Sequence, residues 1–188
     1  MRFKFILSLF NDDIRQLPEE VSDFVKENSI EILPCPLDLK SHKKYFYVMQ
    51  KHKDTPIITV DDDTIYTSNL VEDMYSTHIS SPDRIVCGRC KRMARDADGR
   101  ILPYENWENK VEVPNCKDDD LFGIGVGGIL YPSGFCKLID DGLLPAIGNI
   151  IEPDDFLLYI VARMNGFKYM TANTKNSYCQ LGGIGFFG

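Results

Sequence analysis

Three consecutive aspartates, Asp61 to Asp63, are the residues of this sequence with the clearest chemical potential. They follow Ile57–Val60, a mostly β-branched run after Pro56 that predicts a short buried strand. Carboxylates this close together repel one another, so their position at the end of a core strand favours a bound cation. Carboxylate oxygens suit Mg²⁺ or Mn²⁺, and open α/β sheets bind ligands at the carboxyl ends of their strands. The triplet therefore predicts a divalent-metal site, with acids that merely solvate a loop as the alternative.

A second acidic pair, Asp154 and Asp155, stands at the predicted start of a helix. The pair follows Pro153 and precedes the apolar run Phe156–Met164, with Gly166 placed to end the helix. One acid in the first turn is enough to interact with the helix dipole, and no basic residue is close in sequence. Two acids beside apolar residues should therefore raise at least one carboxylate pKa, which suits a proton acceptor. Capping of the helix by both acids is the alternative.

Glycines are concentrated in the segment Leu121–Pro132, LFGIGVGGILYP. The segment does not match a dinucleotide-binding loop, because a predicted strand, Ile129–Tyr131, follows it instead of a helix. Glycines at this density indicate that backbone comes close either to a ligand or to a neighbouring element. Gly127 and Gly128 are the candidates for contact with a ligand.

Lysines crowd the helix-compatible segment Asp38–Lys53, which comes just before the aspartate strand. A lysine-rich helix is usually a solvated face of the protein. In an acidic chain, however, this local positive charge offers a way to hold a phosphate group, and Lys44 is the candidate for that contact.

The only tryptophan, Trp107, lies near Tyr104 in the turn-rich segment Arg95–Asn109. The composition of this segment predicts a surface excursion. The two aromatic residues would suit stacking on a sugar ring, although packing over a loop is the commoner use of such a pair.

The six cysteines are scattered through a chain that is large enough to have its own core. This distribution is unlike that of a disulfide-stapled secreted domain, so reduced thiols in the cytoplasm are expected. Cys87 and Cys90 have the spacing of half a zinc knuckle, yet no second pair follows to complete four ligands. Two half-buried strand cysteines are the simpler interpretation.

Composition limits the classes of protein to which this chain belongs. Its 188 residues suit a single domain, with 44% hydrophobic and 26% charged residues and a mean hydropathy of −0.20. No apolar run is long enough to predict a transmembrane helix, and the N-terminal MRFKFILSLF is interpreted as a strand instead of a signal peptide. A net charge of −7 opposes non-specific binding to nucleic acid.

Strand and helix signals alternate from Phe3 to Tyr75, beginning with a β-α-β pattern over Phe3–Leu33. Such alternation predicts an α/β domain with a mostly parallel central sheet, flanked by helices and built from right-handed units. The strand Ile57–Val60 is expected in the interior of that sheet. Ser68–Tyr75 is expected to form the next helix, with Ser68 as its N-cap.

Taken in order, the motifs resemble those of a metal-dependent glycosyltransferase of the GT-A type, in particular its bacterial family 2-like members. The matching elements are the strand and triplet Thr59–Tyr66, the Y-x-x-W of Tyr104–Trp107, the glycine segment Gly125–Pro132 and the acidic helix start Asp154–Leu158. The resemblance extends over about residues 3 to 170. Each motif alone is weak, but the ordered set is fairly specific.

The resemblance implies a role for each acidic residue. Asp63 would be a direct ligand of Mn²⁺ or Mg²⁺, Asp61 would lie near the metal or the ribose, and Asp62 would help to fix the donor. The donor would be a nucleotide-diphosphate sugar, whose departing charge a divalent ion neutralises. Asp155, or else Asp154, would be the general base for an inverting attack by a saccharide hydroxyl.

The other implications concern the acceptor, the location and the extent of the chain. Tyr104 and Trp107 would contact the acceptor, Gly127 and Gly128 would contact the donor, and the segment Gly125–Gly128 would let backbone approach either sugar. A cytoplasmic enzyme of surface polysaccharide or glycoconjugate synthesis is implied, with peripheral membrane association left open. Members of the family usually have a preceding strand and helix and a further segment at the end, so residues 1–188 are expected to be a single domain truncated at both ends.

Two alternatives to an active transferase remain open at this point. One is a sugar- or nucleotide-binding remnant of the same fold that has lost turnover. The other is a phosphatase of the haloacid-dehalogenase type, which also places two aspartates at a strand end. That motif continues with glycine and threonine, whereas this chain continues with Thr64 and Ile65.

Overall fold

The protein is a mixed α/β structure in the computed structural model, which describes residues 3–109, 111, 113–149, 153–173 and 178–180. The α-helices, α1 to α7 in chain order, are Asn11–Arg15, Glu19–Glu27, Phe46–Lys51, Leu70–Ser80, Ser133–Cys136, Leu144–Asn149 and Asp154–Met164. The strands, β1 to β10 in chain order, are Ile6–Phe10, Glu31–Cys35, Ile57–Thr59, Thr64–Tyr66, Arg84–Cys87, Cys90–Arg92, Leu121–Gly123, Ile129–Tyr131, Lys168–Thr171 and Tyr178–Gln180. In the described part of the chain, no helix is long and apolar enough to cross a membrane.

A four-stranded mixed sheet with the order β3-β8-β5-β9 lies at the centre of the fold. Strand β8 runs antiparallel to both of its neighbours, and β5 and β9 are parallel. Ile58, Leu130, Val86 and Met170 occupy matching positions across the four strands. Three two-stranded sheets surround this one: β1 with β2 in parallel, and β4 with β10 and β6 with β7 antiparallel.

Helices cover both faces of the four-stranded sheet. Successive residues of a strand point to opposite sides, so alternate residues of each strand pack against different helices. On one face, a large core cluster joins alternate strand residues to α3, α5 and α7: Ile85, Cys87, Ile129, Tyr131, Tyr169, Phe46, Phe135, Leu157 and Leu158. On the other face, the intervening strand residues pack against α4: Val86, Leu130, Met170, Leu70 and Met74. The sheet is therefore the middle layer of three, and its strand ends are held rigidly.

The prediction of Ile57–Val60 as an interior strand is wrong for the described part of the chain. Strand β3 pairs only with β8 there, so it is an edge strand, and Val60 is 40% exposed. Nor is the sheet mostly parallel, because β8, from the glycine-rich segment, runs antiparallel between β3 and β5. Apolar runs indicate strands, but they do not encode the direction in which strands pair.

Element boundaries follow local signals more closely than the sheet does. Helix α7 begins at Asp154 as predicted, and Gly166 follows its end with a φ of 78°, a conformation that favours glycine. Helix α4 has Asn69 as its N-cap, so the choice of Ser68 was wrong. The lysine-rich segment divides into a 3₁₀ turn, Lys40–Lys44, and α3.

Candidate active site

Side chains from separate segments of the chain meet around the ammonium group of Lys44. Its Nζ lies 2.7 Å from Asp61 Oδ1 and 2.7 Å from Asp154 Oδ2. The backbone N–H of Gly125 donates a hydrogen bond of 2.8 Å to Asp155 Oδ2. We call these five residues the Lys44 cluster. It brings together the acid at the end of β3, the acids at the start of α7 and the glycine turn between β7 and β8.

Local structure explains how the chain delivers Lys44 and Asp61 to this place. Lys44 is the last residue of its 3₁₀ turn, and the next two side chains, Tyr45 and Phe46, are fully buried and anchor that turn. Asp61 begins the turn between β3 and β4, where its backbone N–H donates to the Tyr66 hydroxyl at 2.9 Å. Both ends of the ion pair are therefore fixed to buried elements.

Gly125 is required by the close approach of the cluster to its backbone. A Cβ atom at this position would lie 2.7 Å from Asp155 Oδ1 and 3.1 Å from Lys44 Nζ. Any side chain here would force the carboxylate away from its present place. The absence of a side chain at Gly125 therefore allows the Asp155 carboxylate to occupy its place in the candidate site.

Burial controls the protonation of Asp155, and ion pairing controls that of Lys44. Burial, followed by repulsion from Asp154, raises the pKa of Asp155 to about 6, although the Gly125 N–H and Lys44 act in the opposite direction. Burial alone would lower the pKa of Lys44, but attraction to Asp154 and Asp61 outweighs it and raises that pKa. Asp154 Oδ2 contacts Lys44 without hydrogen-bond geometry, so this attraction is mainly Coulombic.

One buried oxygen of the cluster has neither a hydrogen-bond partner nor an ion-pair partner among the described residues. Asp155 Oδ1 is buried and accepts no hydrogen bond within the described residues, while Oδ2 accepts from Gly125. A buried oxygen without a partner costs free energy, about 1–3 kcal/mol for an ordinary polar group. Oδ1 is therefore the atom of the cluster best suited to accept a proton or a hydrogen bond from a ligand.

The residues predicted to hold a metal lie at the edge of the cluster. Asp62 and Asp63 are exposed in the turn after β3, and Thr64 Oγ1 donates to Asp63 Oδ1 at 3.2 Å. Asp61 and Asp63 each retain one carboxylate oxygen that accepts no hydrogen bond from the described residues. These oxygens fit the donor chemistry of Mg²⁺ and Mn²⁺.

The number of protein ligands for such an ion is small. No group of three or more His, Cys, Asp and Glu side chains is arranged to hold a metal among residues 3–109, 111, 113–149, 153–173 and 178–180. Two carboxylates would therefore supply only part of an octahedral shell, and water or ligand oxygens would complete it.

The second aspartate triplet, Asp118–Asp120, is in a different electrostatic state from Asp61–Asp63. Each of its carboxylates contacts a different basic side chain at 2.6 to 2.7 Å, in order Arg92, Lys168 and Arg95. In the first triplet, only Asp61 has an ion pair within the described residues. The charges of the second triplet are therefore paired within the fold, while Asp62 and Asp63 of the first have no ion pair with a described residue.

The predicted acceptor residues belong to a band of aromatic side chains. The ring centroids of Tyr104 and Trp107 are 5.0 Å apart, those of Trp107 and Phe122 5.5 Å, and those of Phe122 and Phe156 6.3 Å. We call these four residues the aromatic band. It runs from Tyr104, which is 50% exposed, to Phe156, which is 47% exposed and adjoins Asp155 in sequence.

Packing accounts for the two glycines that were predicted to contact a donor. A Cβ on Gly127 would lie 2.5 Å from the backbone nitrogen of Arg89, and one on Gly128 would lie 3.2 Å from Met74 Cε. Gly128 also has a φ of 78°. Gly127 and Gly128 thus let the turn pack against its neighbours, whereas Gly125 is the glycine that contacts an acid of the Lys44 cluster.

Sequence reasoning missed Arg89, which lies directly behind the glycine turn. Its carbonyl accepts from the Ile124 N–H at 3.0 Å, its Nε is buried without a hydrogen bond, and it makes no ion pair with any described residue. The segment Arg84–Arg95 has five basic and no acidic residues in a chain of net charge −7, and that imbalance was the available signal.

The cysteines on either side of Arg89 were expected to be half-buried, and this was wrong because Cys87 and Cys90 are both fully buried. They end β5 and begin β6 as strand cysteines, and no third ligand residue lies with them in the described structure. Burial, followed by the hydrogen bond with Cys90, raises the pKa of the Cys87 thiol. The pair belongs to the core.

No protein-family model matches the chain, and no curated protein matches its sequence. The candidate site combines a buried carboxylate that can accept a proton, a lysine between two acids, and exposed carboxylates after a strand end. These groups suit a reaction in which a proton is removed beside a charged leaving group.

Proposed function

We propose that this protein is a metal-dependent glycosyltransferase that moves a sugar from a nucleotide-diphosphate donor to a saccharide hydroxyl, with inversion. One observation carries the proposal: Asp155, with its pKa raised to about 6 and a free buried oxygen, adjoins Asp154, which Lys44 connects to Asp61 after β3. A candidate base and a candidate donor-binding turn thus share one cluster.

On the donor side, Asp61 and Asp63 would hold Mn²⁺ or Mg²⁺. When bound, such an ion neutralises the negative charge that a departing diphosphate develops. The guanidinium of Arg89 has no ion pair within the described residues, so it is free to contact a phosphate, for which its planar fork is well shaped. Lys44 would hold Asp61, on the donor side, and Asp154, at the start of α7, in fixed positions relative to each other.

On the acceptor side, Asp155 would remove the proton from the attacking hydroxyl. The hydroxyl oxygen forms a bond to the anomeric carbon, the bond from that carbon to the diphosphate breaks, and the diphosphate leaves with the electron pair. The proton passes to Asp155 Oδ1, which accepts no other hydrogen bond in the described structure. A pKa of about 6 leaves this base mostly ionised at neutral pH.

Location and pathway class are part of the same proposal. Nucleotide sugars are cytoplasmic substrates, and the buried free cysteines of the described chain suit a reducing compartment. We place the enzyme in surface polysaccharide or glycoconjugate synthesis, with any membrane association being peripheral.

The ion pairs of Lys44 favour a second candidate, a sugar- or nucleotide-binding protein without turnover. Lys44 occupies one oxygen of Asp61 and one of Asp154, so the site is already charge-paired without a donor. The two functions differ in whether product is formed.

Incubation with a panel of nucleotide sugars, Mn²⁺ and saccharide acceptors, read by mass spectrometry, tests the proposal. We expect transfer by the unaltered protein, none by Asp155→Asn, and retained transfer by Asp140→Asn. Asp140 is a matched control because its Oδ1 also accepts a backbone N–H at 2.8 Å, from Gly142, but it is exposed. Normal turnover by Asp155→Asn would reject the assigned base, and nucleotide binding without any transfer would favour the second candidate.

A further inference from the structure

Lys91 has a mostly buried side chain and no acidic partner among the described residues. The residue is 8% exposed and makes no ion pair with any described residue. Its ammonium lies 3.6 Å from the centroid of the Tyr104 ring. The basic side chains Arg92 and Arg95 of the same segment both contact carboxylates, whereas Lys91, like Arg89, has no ion pair with a described residue.

Most of the Lys91 side chain is buried, but its Nζ is not among the buried polar atoms that lack a partner, so the ammonium remains accessible from solvent. A carboxylate is the usual partner of a lysine in such a position, and none of the described residues supplies one. The face of the Tyr104 ring attracts the cation, but it supplies no hydrogen-bond acceptor of the strength of a carboxylate or phosphate. An anionic group that arrived from outside would provide the missing partner.

Lys91 lies beside the aromatic band. Strands β6 and β7 are antiparallel, and Lys91 is directly opposite Phe122, so both side chains are on the same face of the pair. Phe122 contacts Trp107 on one side and Phe156 on the other. The positive charge thus lies beside the surface formed by the exposed rings of Tyr104 and Phe156, whereas Phe122 itself is buried.

That surface is close to the candidate base. Phe122 is followed within the same short segment by Gly125, whose N–H donates to Asp155. Three residues of extended chain span roughly 10 Å, about the length of two sugar rings. A saccharide on the aromatic band would therefore have one end within reach of Asp155.

We propose that the aromatic band and Lys91 form a binding subsite for an anionic saccharide. Aromatic rings pack against the apolar C–H face of a sugar, and Lys91 pairs with a carboxylate or phosphate carried by that sugar. The role of this saccharide as the acceptor rests on the proposed function. Its binding to the subsite does not depend on that function.

The single tryptophan allows the subsite to be observed directly. Trp107 is the only tryptophan of the chain, so its fluorescence reports from within the aromatic band. Titrations without metal or nucleotide would compare methyl β-D-glucuronide, glucose 6-phosphate and the neutral methyl β-D-glucoside. We expect at least one anionic sugar to bind about tenfold more tightly than the neutral one, since one charged hydrogen bond is worth about that factor.

The two anionic probes distinguish the source of the charge. Preference for the glucuronide would identify a carboxylate sugar, and preference for the 6-phosphate a phosphorylated one. Equal, weak responses to all three sugars in the unaltered protein would overturn the inference without any variant being needed.

Variants assign the effect to Lys91. Lys91→Met keeps the aliphatic stem and should remove the preference for the anionic sugar, whereas Lys91→Arg should retain it. Lys137→Met is the control, because Lys137 pairs with Asp54 outside the aromatic band. Circular dichroism would verify folding of each variant, and a folded Lys91→Met protein with an unchanged preference would contradict the proposal.

This test is independent of the glycosyltransferase proposal. Anionic-sugar binding without transfer would leave the subsite standing and reject the enzyme. Transfer to neutral saccharides without a binding preference for anionic sugars would support the enzyme and reject the subsite.

Discussion

Replacement of Asp155 by asparagine is expected to stabilise the protein at neutral pH. The asparagine side-chain oxygen can still accept the Gly125 N–H, so the variant removes the charge and keeps the hydrogen bond. Burial and repulsion from Asp154 raise the pKa of Asp155 from 3.8 to about 6, so the ionised carboxylate is disfavoured in the folded state. The proposed function requires this charge, and the fold is less stable because of it.

The magnitude follows from the size of the pKa change. A rise from 3.8 to about 6 is roughly two units, and each unit corresponds to about 1.4 kcal/mol, which gives an upper limit of about 3 kcal/mol. The folded pKa is the higher one, so the folded state binds the proton more tightly than the unfolded state. The penalty is therefore complete above about pH 6, decreases as the pH falls from 6 to 4, and disappears below about pH 4.

Urea unfolding at pH 7.5 and pH 4 measures this difference. Asp155→Asn should exceed the unaltered protein in unfolding free energy by up to about 3 kcal/mol at pH 7.5 and should match it near pH 4. Asp140→Asn, at an exposed carboxylate that also accepts a backbone N–H, should show no comparable pH dependence. A gain in the unfolding free energy of Asp155→Asn that is the same at both pH values, or a loss at pH 7.5, would refute the electrostatic reasoning.

Two further substitutions address the cluster. Lys44→Met should lower the unfolding free energy by about 3 kcal/mol at pH 7.5, because it leaves part-buried carboxylates without a cation. Lys43→Met, at a lysine of similar exposure whose aspartate partners are more exposed, should cost less than about 1 kcal/mol. Equal losses of unfolding free energy in Lys44→Met and Lys43→Met would contradict the conclusion that the ion pairs of Lys44 contribute more than those of Lys43. Gly125→Ala should cost about 1–3 kcal/mol, because its Cβ would lie 2.7 Å from Asp155 Oδ1, whereas Gly134→Ala, with its nearest contact at 3.5 Å, should cost nothing measurable in the same urea assay.

Helix α7 and its acids could be predicted because the signals are local. Pro153, the acids of the first turn and Gly166 are all within or next to the helix that they limit. The expectation that one of the two acids would have a raised pKa agrees with the structure for the same reason, since apolar residues follow the pair directly.

Strand pairing and the partners of the acids could not be predicted in this way. The antiparallel insertion of β8 beside β3 depends on how the glycine turn packs, and no local pattern encodes it. Lys44 was expected to hold a phosphate, but it contacts Asp61 and Asp154, which are distant from each other in sequence. The apolar strand before Asp61–Asp63 distinguishes this triplet from Asp118–Asp120 in the sequence, but only the folded chain shows that each acid of the second triplet has a basic partner.

Calorimetry of nucleoside diphosphate binding tests the proposed function most directly. UDP and GDP would be titrated with and without Mn²⁺ into the unaltered protein, Asp63→Ala and Asp119→Ala. We expect one of the nucleotides to bind in a Mn²⁺-dependent manner, with this binding lost in Asp63→Ala and retained in Asp119→Ala, whose carboxylate is already paired with Lys168. Metal-dependent binding that persists in Asp63→Ala, or that is absent from the unaltered protein, would contradict the assignment of the first aspartate triplet as a donor and metal site.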